Sequence, residues 1–431
     1  MRVLAHLVKE KPDMKLGGLI RHRRTIVGVG ALALVATFGA TACGSDDSTS
    51  DSASSASTSS LPSEPASGEP IKIGFVSPEG GAAVSIPEYR QGAEAAVQYV
   101  NNNAGGLAGR PIELVVCKQQ EEPTSATKCA NELVEKKVAA VLSPGTSMGQ
   151  VIVPIISGAK IPYVTLNAVS PIELTSPDVA ALSAGLPGTL TAMASGAKDK
   201  GMKSVTLFAS DGGGMGNVIT QMGTPVFGAY GVDLKVVPLP LGVPDPTPMV
   251  SAGLSEKPDG VSIIADAATC AGVLKAVQTA DPNVEKILIP TCLDPNVTKV
   301  IGLDAVKGNV GITATDYLSD NPDSVLYRSV LGQYAPDLSI TGAGASGYQV
   351  LLGFVRTAGG VQGDVTPASL GAAIKAAKDV EMPAGGGITV TCNGKAFPQM
   401  PALCSSQMLY GTVNDEGVPV DLKLAGQQPA A

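Results

Sequence analysis

The sequence predicts an α/β fold of two doubly wound, Rossmann-like lobes, on three observations. After about residue 70, short apolar runs alternate with longer stretches of helical spacing. The alternation begins a second round after Leu186. The loops that follow the apolar runs are polar and rich in Gly, Pro and Ser, as at 143–147 and 167–171. In an open parallel sheet such loops leave the carboxyl ends of neighbouring strands, where ligands bind.

The elements follow in order. Residues 71–76 read as a buried strand, and Ser77-Pro-Glu-Gly-Gly as a turn-rich loop. From 87 to 103 the apolar residues Tyr89, Ala93, Ala96, Val97 and Val100 share one helical face. Residues 111–117 form the next strand, and 123–136 the next helix, opening at Thr124 or Ser125. Strand, polar loop, apolar helix, strand and polar loop then follow through residue 174. Ser147 stands where the intervening helix should begin, so its hydroxyl and the first free N–H groups face one point, which attracts an anion. Read alone, Ser147 is equally an N-cap, and Ser170 a residue that opens a turn before Pro171. In the second round, 187–200 is a helix and 203–210 a strand ending in Asp211-Gly-Gly-Gly-Met-Gly. That run is not a phosphate loop: the third glycine of GxGxxG falls on Asn217 and no GK[ST] occurs. A helix to Tyr230, a strand over 232–238, a Pro-rich loop through Pro248 and a strand over 260–265 come next. Asp266 then precedes a helix containing Cys270. Strands at 287–290 and 310–313 close the round. Helices are expected over 322–334, 347–357 and 367–378, and strands over 385–391 and 408–413.

Composition bounds the function. The chain has 431 residues, enough for two domains, and only 3% aromatics with no Trp, which argues against a stacking surface for nucleic acid or sugars. Residues 1–42 read as an export signal: Arg21, Arg23 and Arg24 precede an apolar run over 26–40, and small residues lead to Cys43. The run is shorter than the ~20 residues that span a bilayer. Residues 44–70 hold 11 Ser in 27 positions and should form a flexible tether with a mean reach of roughly 30 Å. Without residues 1–42 the chain has 23 basic and 36 acidic residues, a net charge of −13, which excludes nucleic acid and anionic lipid as partners. Both histidines, His6 and His22, fall in the removed segment, so Ser-His-Asp and Cys-His catalysis and His-ligated metal sites are excluded. Neither a metal nor a cofactor is expected. Apart from Cys43, six cysteines remain; proximity suggests Cys117 with Cys129, Cys270 with Cys292 and Cys392 with Cys404, and zinc is disfavoured because no CxxC pair exists.

Ala40-Thr-Ala-Cys43-Gly-Ser resembles a bacterial lipoprotein cleavage box, with Ala40 where Leu is usual. The resemblance implies cleavage before Cys43, a lipid on its thiol, and anchoring to the outer face of the cell membrane. Arg90-Gln-Gly-Ala-Glu-Ala-Ala-Val, Val100-Asn and Gly105-Gly-Leu-Ala-Gly-Arg-Pro-Ile-Glu-Leu resemble the first βαβ unit of type I periplasmic binding proteins, in the branched-chain amino-acid receptor branch of ABC importers. The likeness continues through Cys129-Ala-Asn-Glu-Leu-Val and 138–174, and thins toward residue 380.

This resemblance implies two lobes joined by a three-strand hinge, with crossings near 187, 315 and 382. Lobe 1 is then 71–187 with 315–381, and lobe 2 is 188–314 with 382–431. It implies a monomeric receptor, not an enzyme, that closes on a small amino-acid-like polar molecule and delivers it to membrane permease subunits. By motif position Ser147 would donate to a ligand carboxylate, Ala168 would offer its carbonyl to an ammonium and Ser170 a hydroxyl, with Thr146 beside them and Ser77 and Gly80 at the rim. In the second lobe Gly213 stands where relatives carry Tyr, and Asp266 either supplies the counter-charge or caps its helix. A larger or differently charged ligand would fill the space left by the missing ring. Two other readings remain: a lipid-anchored sensor without transport, and an exported hydrolase using carboxylates, for which the adjacent pair Glu121-Glu122 reads as solvated.

Overall fold

The computed structural model describes residues 58–81, 84–212, 214–361 and 363–426. Two sheets carry the fold. The first takes its five parallel strands from one continuous stretch: β1 (Ile71–Pro78), β2 (Ile112–Gln119), β3 (Ala140–Ser143), β4 (Tyr163–Thr165) and β5 (Val179–Ala181), in the order β2-β1-β3-β4-β5. Its strands are buried on both faces, as a parallel sheet covered by helices requires. The crossovers are α1 (Pro87–Asn103), α2 (Pro123–Glu135), α3 (Gly149–Gly158) and the short α4 (Pro171–Thr175).

The second sheet has seven strands in the order β14-β13-β10-β9-β8-β6-β7. Its parallel part is β6 (Ser204–Asp211), β7 (Asp233–Pro240), β8 (Gly260–Ile264), β9 (Glu285–Leu288) and β10 (Val310–Thr313). The helices α5 (Gly185–Asp199), α6 (Met215–Ala229), α7 (Thr247–Leu254), α8 (Ala267–Ala280) and α9 (Pro295–Ile301) accompany it. The chain then returns to the first lobe with α10 (Pro322–Tyr334), α11 (Gly344–Ala358) and α12 (Pro367–Ala376), makes a small hairpin of β11 (Val380–Glu381) and β12 (Thr389–Val390), and ends on the second sheet with β13 (Met408–Val413) and β14 (Pro419–Ala425).

The first lobe closes where α1 meets α11. A Cβ on Gly92 would lie 1.9 Å from the Gly344 carbonyl oxygen, and one on Gly347 would lie 1.8 Å from the Tyr89 carbonyl oxygen. The two backbones therefore touch, and only glycine fits at the crossing. Around it pack Ala93, Ala96, Val100, Tyr327, Tyr348, Leu351 and Phe354, all buried.

Three expectations change. Residues 58–70 are not a free tether: Leu61 packs on the first core, Ser59 donates to Ser329 Oγ at 2.8 Å, and Glu64 and Ala66 bond the end of α1. The earlier part of the tether, the export signal and Cys43 lie outside the described residues. The third crossing falls later than 382. Met382, Ala384, Ile388, Val390 and Cys404 belong to the first core, and Leu403 bridges to Ala181, so 382–404 stays with the first lobe. The strand expected over 385–391 shrinks to β12, because 384–387 (Ala-Gly-Gly-Gly) turns through positive φ at Ala384, Gly386 and Gly387.

Each disulfide joins neighbours in sequence. Cys117 on β2 is bonded to Cys129 on α2, Cys270 on α8 to Cys292, and Cys392 to Cys404. Among the described residues no helix is long and apolar enough to cross a membrane, and no cluster of His, Cys, Asp and Glu could hold a metal ion.

Candidate functional site

β3 and β4 are parallel neighbours, so the loops at their carboxyl ends lie side by side. They are tied together by Leu166 N–H to Ser143 O at 3.0 Å and by Asn167 N–H and Nδ2 to Pro144 O. The 144–148 loop presents its donors to a carboxylate of the chain itself. Ser147 N–H donates to Glu121 Oε2 at 2.9 Å, and the Ser147 hydroxyl donates to the same oxygen. Thr146 Oγ1 donates to Glu121 Oε1 at 2.7 Å, and Gln119 Nε2 donates there too. Glu121 holds this position with a left-handed backbone, φ 55°. It is half-buried and bonded, not solvated as its sequence context suggested; Glu122 beside it is exposed. Ser147 is not the N-cap, because α3 opens at Gly149 with Met148 in the cap position.

The second loop repeats the arrangement. Ser170 is the N-cap of α4, and both Ser170 N–H (2.9 Å) and its hydroxyl (2.8 Å) donate to Glu173 Oε2. Val169 N–H adds a third donor at 3.2 Å, and the Tyr163 hydroxyl donates to Oε1 at 3.2 Å. Glu173 is fully buried, so it needs all four. Burial first, and the Glu173 charge second, push the Tyr163 phenol well above its ordinary range and keep it a donor.

The remaining candidates are placed as follows. Ser77 is buried and donates to Glu79 at 2.9 Å; Glu79 also pairs with Arg90 at 2.8 Å and Lys118 at 3.0 Å. Gly80 is exposed with φ 79°, and its N–H bonds Ser85 Oγ. Ala168 is half-buried between Asn167 and Val169. Gly213 lies outside the described residues. Asp266 caps α8: its two oxygens accept from Thr269 N–H at 3.0 Å and Thr269 Oγ1 at 2.8 Å. Its partial burial raises the carboxyl pKa, but the Thr269 bonds outweigh that and hold it below the usual carboxylate range.

A cavity of about 910 Å³ lies between the lobes. Its first-lobe wall includes Ile86, Tyr89, Leu166, Asn167 and Leu186, and its second-lobe wall includes Thr189, Ile264, Ile289, Thr291, Leu293 and Asp294. Thr313, Thr315 and Gln349 also line it. None of the described candidates from the sequence lines it, although Asn167 and Ile264 are their near neighbours in the chain. The residues missed by sequence reasoning are Tyr89, Asn167, Thr291, Asp294 and Gln349. Tyr89 read as a core position because its helical face is otherwise apolar. Thr291 and Asp294 carried a usable signal, since they follow a strand at its carboxyl end. The Cys270–Cys292 bond pins that 290–293 turn to α8. Of the Asp294 oxygens, Oδ1 accepts from Asn296 N–H at 2.8 Å, capping α9. Burial first, then the Glu121 charge, raise the Tyr89 phenol above its ordinary range.

A second cavity, about 1070 Å³, is lined by Lys160, Pro162, Val179, Pro367, Ile374 and Pro401. It is the larger of the two. It faces the amino ends of β4 and β5, however, and parallel sheets carry their ligand sites at the opposite edge.

Comparison with known proteins agrees with this geometry. The family described as periplasmic binding protein matches residues 70–403. A Leu/Ile/Val-binding protein homolog of Brucella melitensis is 25% identical over 316 residues, covering 70% of this chain and 80% of that protein. The fold matches the branched-chain amino acid transporter substrate-binding protein LivJ of Streptococcus pneumoniae, solved with isoleucine, at a TM-score of 0.65 and 16% identity, covering 83% of this chain and 99% of that one. It also matches a solute-binding protein of R. palustris, solved with 4-hydroxybenzoate, at a TM-score of 0.64 and 20% identity, covering 84% and 96%. The family is one of extracytoplasmic receptors without enzymatic activity. Two doubly wound lobes, a cavity between them and a family match over most of the chain make this protein a member of the periplasmic binding protein family, type I.

Proposed function

We propose that the chain is a lipid-anchored solute receptor of an ABC importer, which binds a small amino-acid-like molecule in the interlobe cavity, closes on it, and presents it to a membrane permease. The cavity itself carries this reading. It is of ligand size, mostly apolar, and dotted with a few polar groups, the pattern of small-molecule sites. Closure about the three connecting segments would exclude water and bring Thr291 and Asp294 against Tyr89 and Asn167. Lobe 1 is proposed as 71–187 with 315–404, and lobe 2 as 188–314 with the end of the chain. The anchor rests on Cys43 and the apolar run before it.

A thermal-shift screen with amino acids, their amides and aromatic acids tests the receptor. One class should raise the melting temperature, by mass action on the folded state. Turnover of a compound without such a shift would refute the reading. For the anchor, Cys43→Ser should move the protein from the membrane fraction to the soluble one.

A further inference from the structure

We propose that Asp294 holds the positively charged nitrogen of the ligand, so that the interlobe cavity takes amines, whether or not they also carry a carboxylate. This rests on the receptor reading and names its ligand class. Asp211, Asp266 and Asp294 stand at or beyond the carboxyl ends of β6, β8 and β9, and the structure separates them. Asp211 and Asp266 are not part of the cavity wall. Asp211 accepts from Gly216 N–H, and both oxygens of Asp266 accept from Thr269. Asp294 lines the cavity and has an oxygen to spare. Its Oδ1 accepts from Asn296 N–H at 2.8 Å as the cap of α9, which fixes the side chain, while Oδ2 accepts from no group among the described residues. The turn before it, Pro290–Leu293, is tied to α8 by the Cys270–Cys292 disulfide, and Pro295 opens the helix behind it. The carboxylate is therefore held in place at the wall.

Its surroundings call for a cation. The side chains that the first lobe gives to the wall, among them Tyr89, Asn167, Thr315, Ser346 and Gln349, carry no charge. Arg90, next to Tyr89 in the chain, is engaged by Glu79 and Glu94. On the second lobe Lys299 and Glu416 also line the cavity, yet no basic side chain among the described residues is paired with Asp294. Closing the lobes on a ligand without a cation would take the half-buried Asp294 carboxylate further out of water against neutral groups, which is costly. A ligand ammonium on Oδ2 removes that penalty and so favours the closed form over the open one.

The test is calorimetric titration of two sets of probes: leucine, 3-methylbutylamine and 4-methylpentanoate, and phenylalanine, 2-phenylethylamine and 3-phenylpropionate. Within each set the first carries both charged groups, the second the ammonium alone and the third the carboxylate alone. In at least one set the wild type should bind both amines about tenfold or more tighter than the amine-free acid. Asp294→Asn keeps an acceptor for Asn296 N–H and removes the charge. It should weaken both amines by about tenfold or more and leave the amine-free acid unchanged. Asp266→Asn should change none of these affinities, and Lys299→Met should not weaken the amines. If D294N does not fold, Asp294→Ser, which also caps a helix, takes its place.

A folded D294N that binds the amines as tightly as the wild type overturns the proposal. If the wild type binds the amine-free acids as tightly as the amines, the proposal fails while the receptor reading stands. If no probe of either set binds the wild type, the amino-acid-like reading fails and the proposal falls with it.

Discussion

Gly347→Ala tests the packing that supports the first-lobe wall. The added Cβ would sit 1.8 Å from the Tyr89 carbonyl oxygen, whereas ordinary contact begins near 3.4 Å. The obstructing atom is backbone within α1, so no side chain can rotate away, and α1 and α11 must part by roughly 1.6 Å. Overpacking alone costs about 1–3 kcal/mol. A gap of even 1 Å also forfeits up to about half of each dispersion contact along the crossing. The expected loss is therefore about 3 kcal/mol or more, read at 25 °C from urea denaturation with an unchanged slope. Because Tyr89 lines the cavity, ligand affinity should fall with it. Gly332→Ala is the control. It lies within α10 with nothing inside 4 Å of the new Cβ, and should stabilise by roughly 0.5–1 kcal/mol. A Gly347→Ala change below about 0.5 kcal/mol would refute the close-contact argument.

Replacing Cys270 and Cys292 together by Ser opens a loop of 22 residues and should cost about 3 kcal/mol in denaturant, with a further drop in ligand affinity because the 290–293 turn is freed. Gln349→Leu should cost about 2–4 kcal/mol in the same assay, since it strips the Ala314 and Pro383 carbonyls and the Thr315 hydroxyl of their partner. Acid should weaken the first lobe through Glu79. Its burial raises the carboxyl pKa, but bonds from Arg90, Lys118 and Ser77 outweigh that, and the folded pKa is depressed. The stability it contributes is thus present above the ordinary glutamate range, about 4.3, and is lost as pH falls through the lower folded value. Glu79→Gln should flatten that acid limb in stability measured from pH 7 to 3.

Much of the fold was legible because its signals are local. The helical face from Tyr89 to Val100 and the Pro-led helix at 322–334 give α1 and α10 almost to the residue, and the Val- and Ile-rich runs give the parallel strands other than β5 to within about two residues. What was not legible depends on tertiary context. β14 carries Pro, Asp and Lys, and is a strand because it pairs antiparallel with β13. α7 begins within a Pro-rich stretch, where proline suits a helix's first turn. The site divides in the same way. Ser170-Pro-Ile-Glu173 has the spacing of a capping box, and Ser170 caps α4 in that way. Ser147 reads as standing at the start of a helix, but α3 opens at Gly149; its hydroxyl and N–H bond Glu121, which lies 26 residues earlier and is brought there by the pairing of β1 with both β2 and β3.

The same geometry explains where binding energy must come from. On the receptor reading, burying the apolar wall of Leu166, Leu186, Ile264, Ile289 and Leu293 would supply attraction at about 25 cal/mol per Å² removed from water. On the proposed closure, polar selectivity would fall to Asp294 and Thr291 from one side and Asn167 from the other. The proposed closure would have to swing the second-lobe groups without unpairing the connecting segments. Gln349 is suited to that, because its amide bonds the Ala314 carbonyl, beside the 315 segment, and the Pro383 carbonyl of the first lobe, at 3.1 and 2.9 Å. Under that proposal a long side chain anchored in α11 would keep both segments in register while their backbone torsions change.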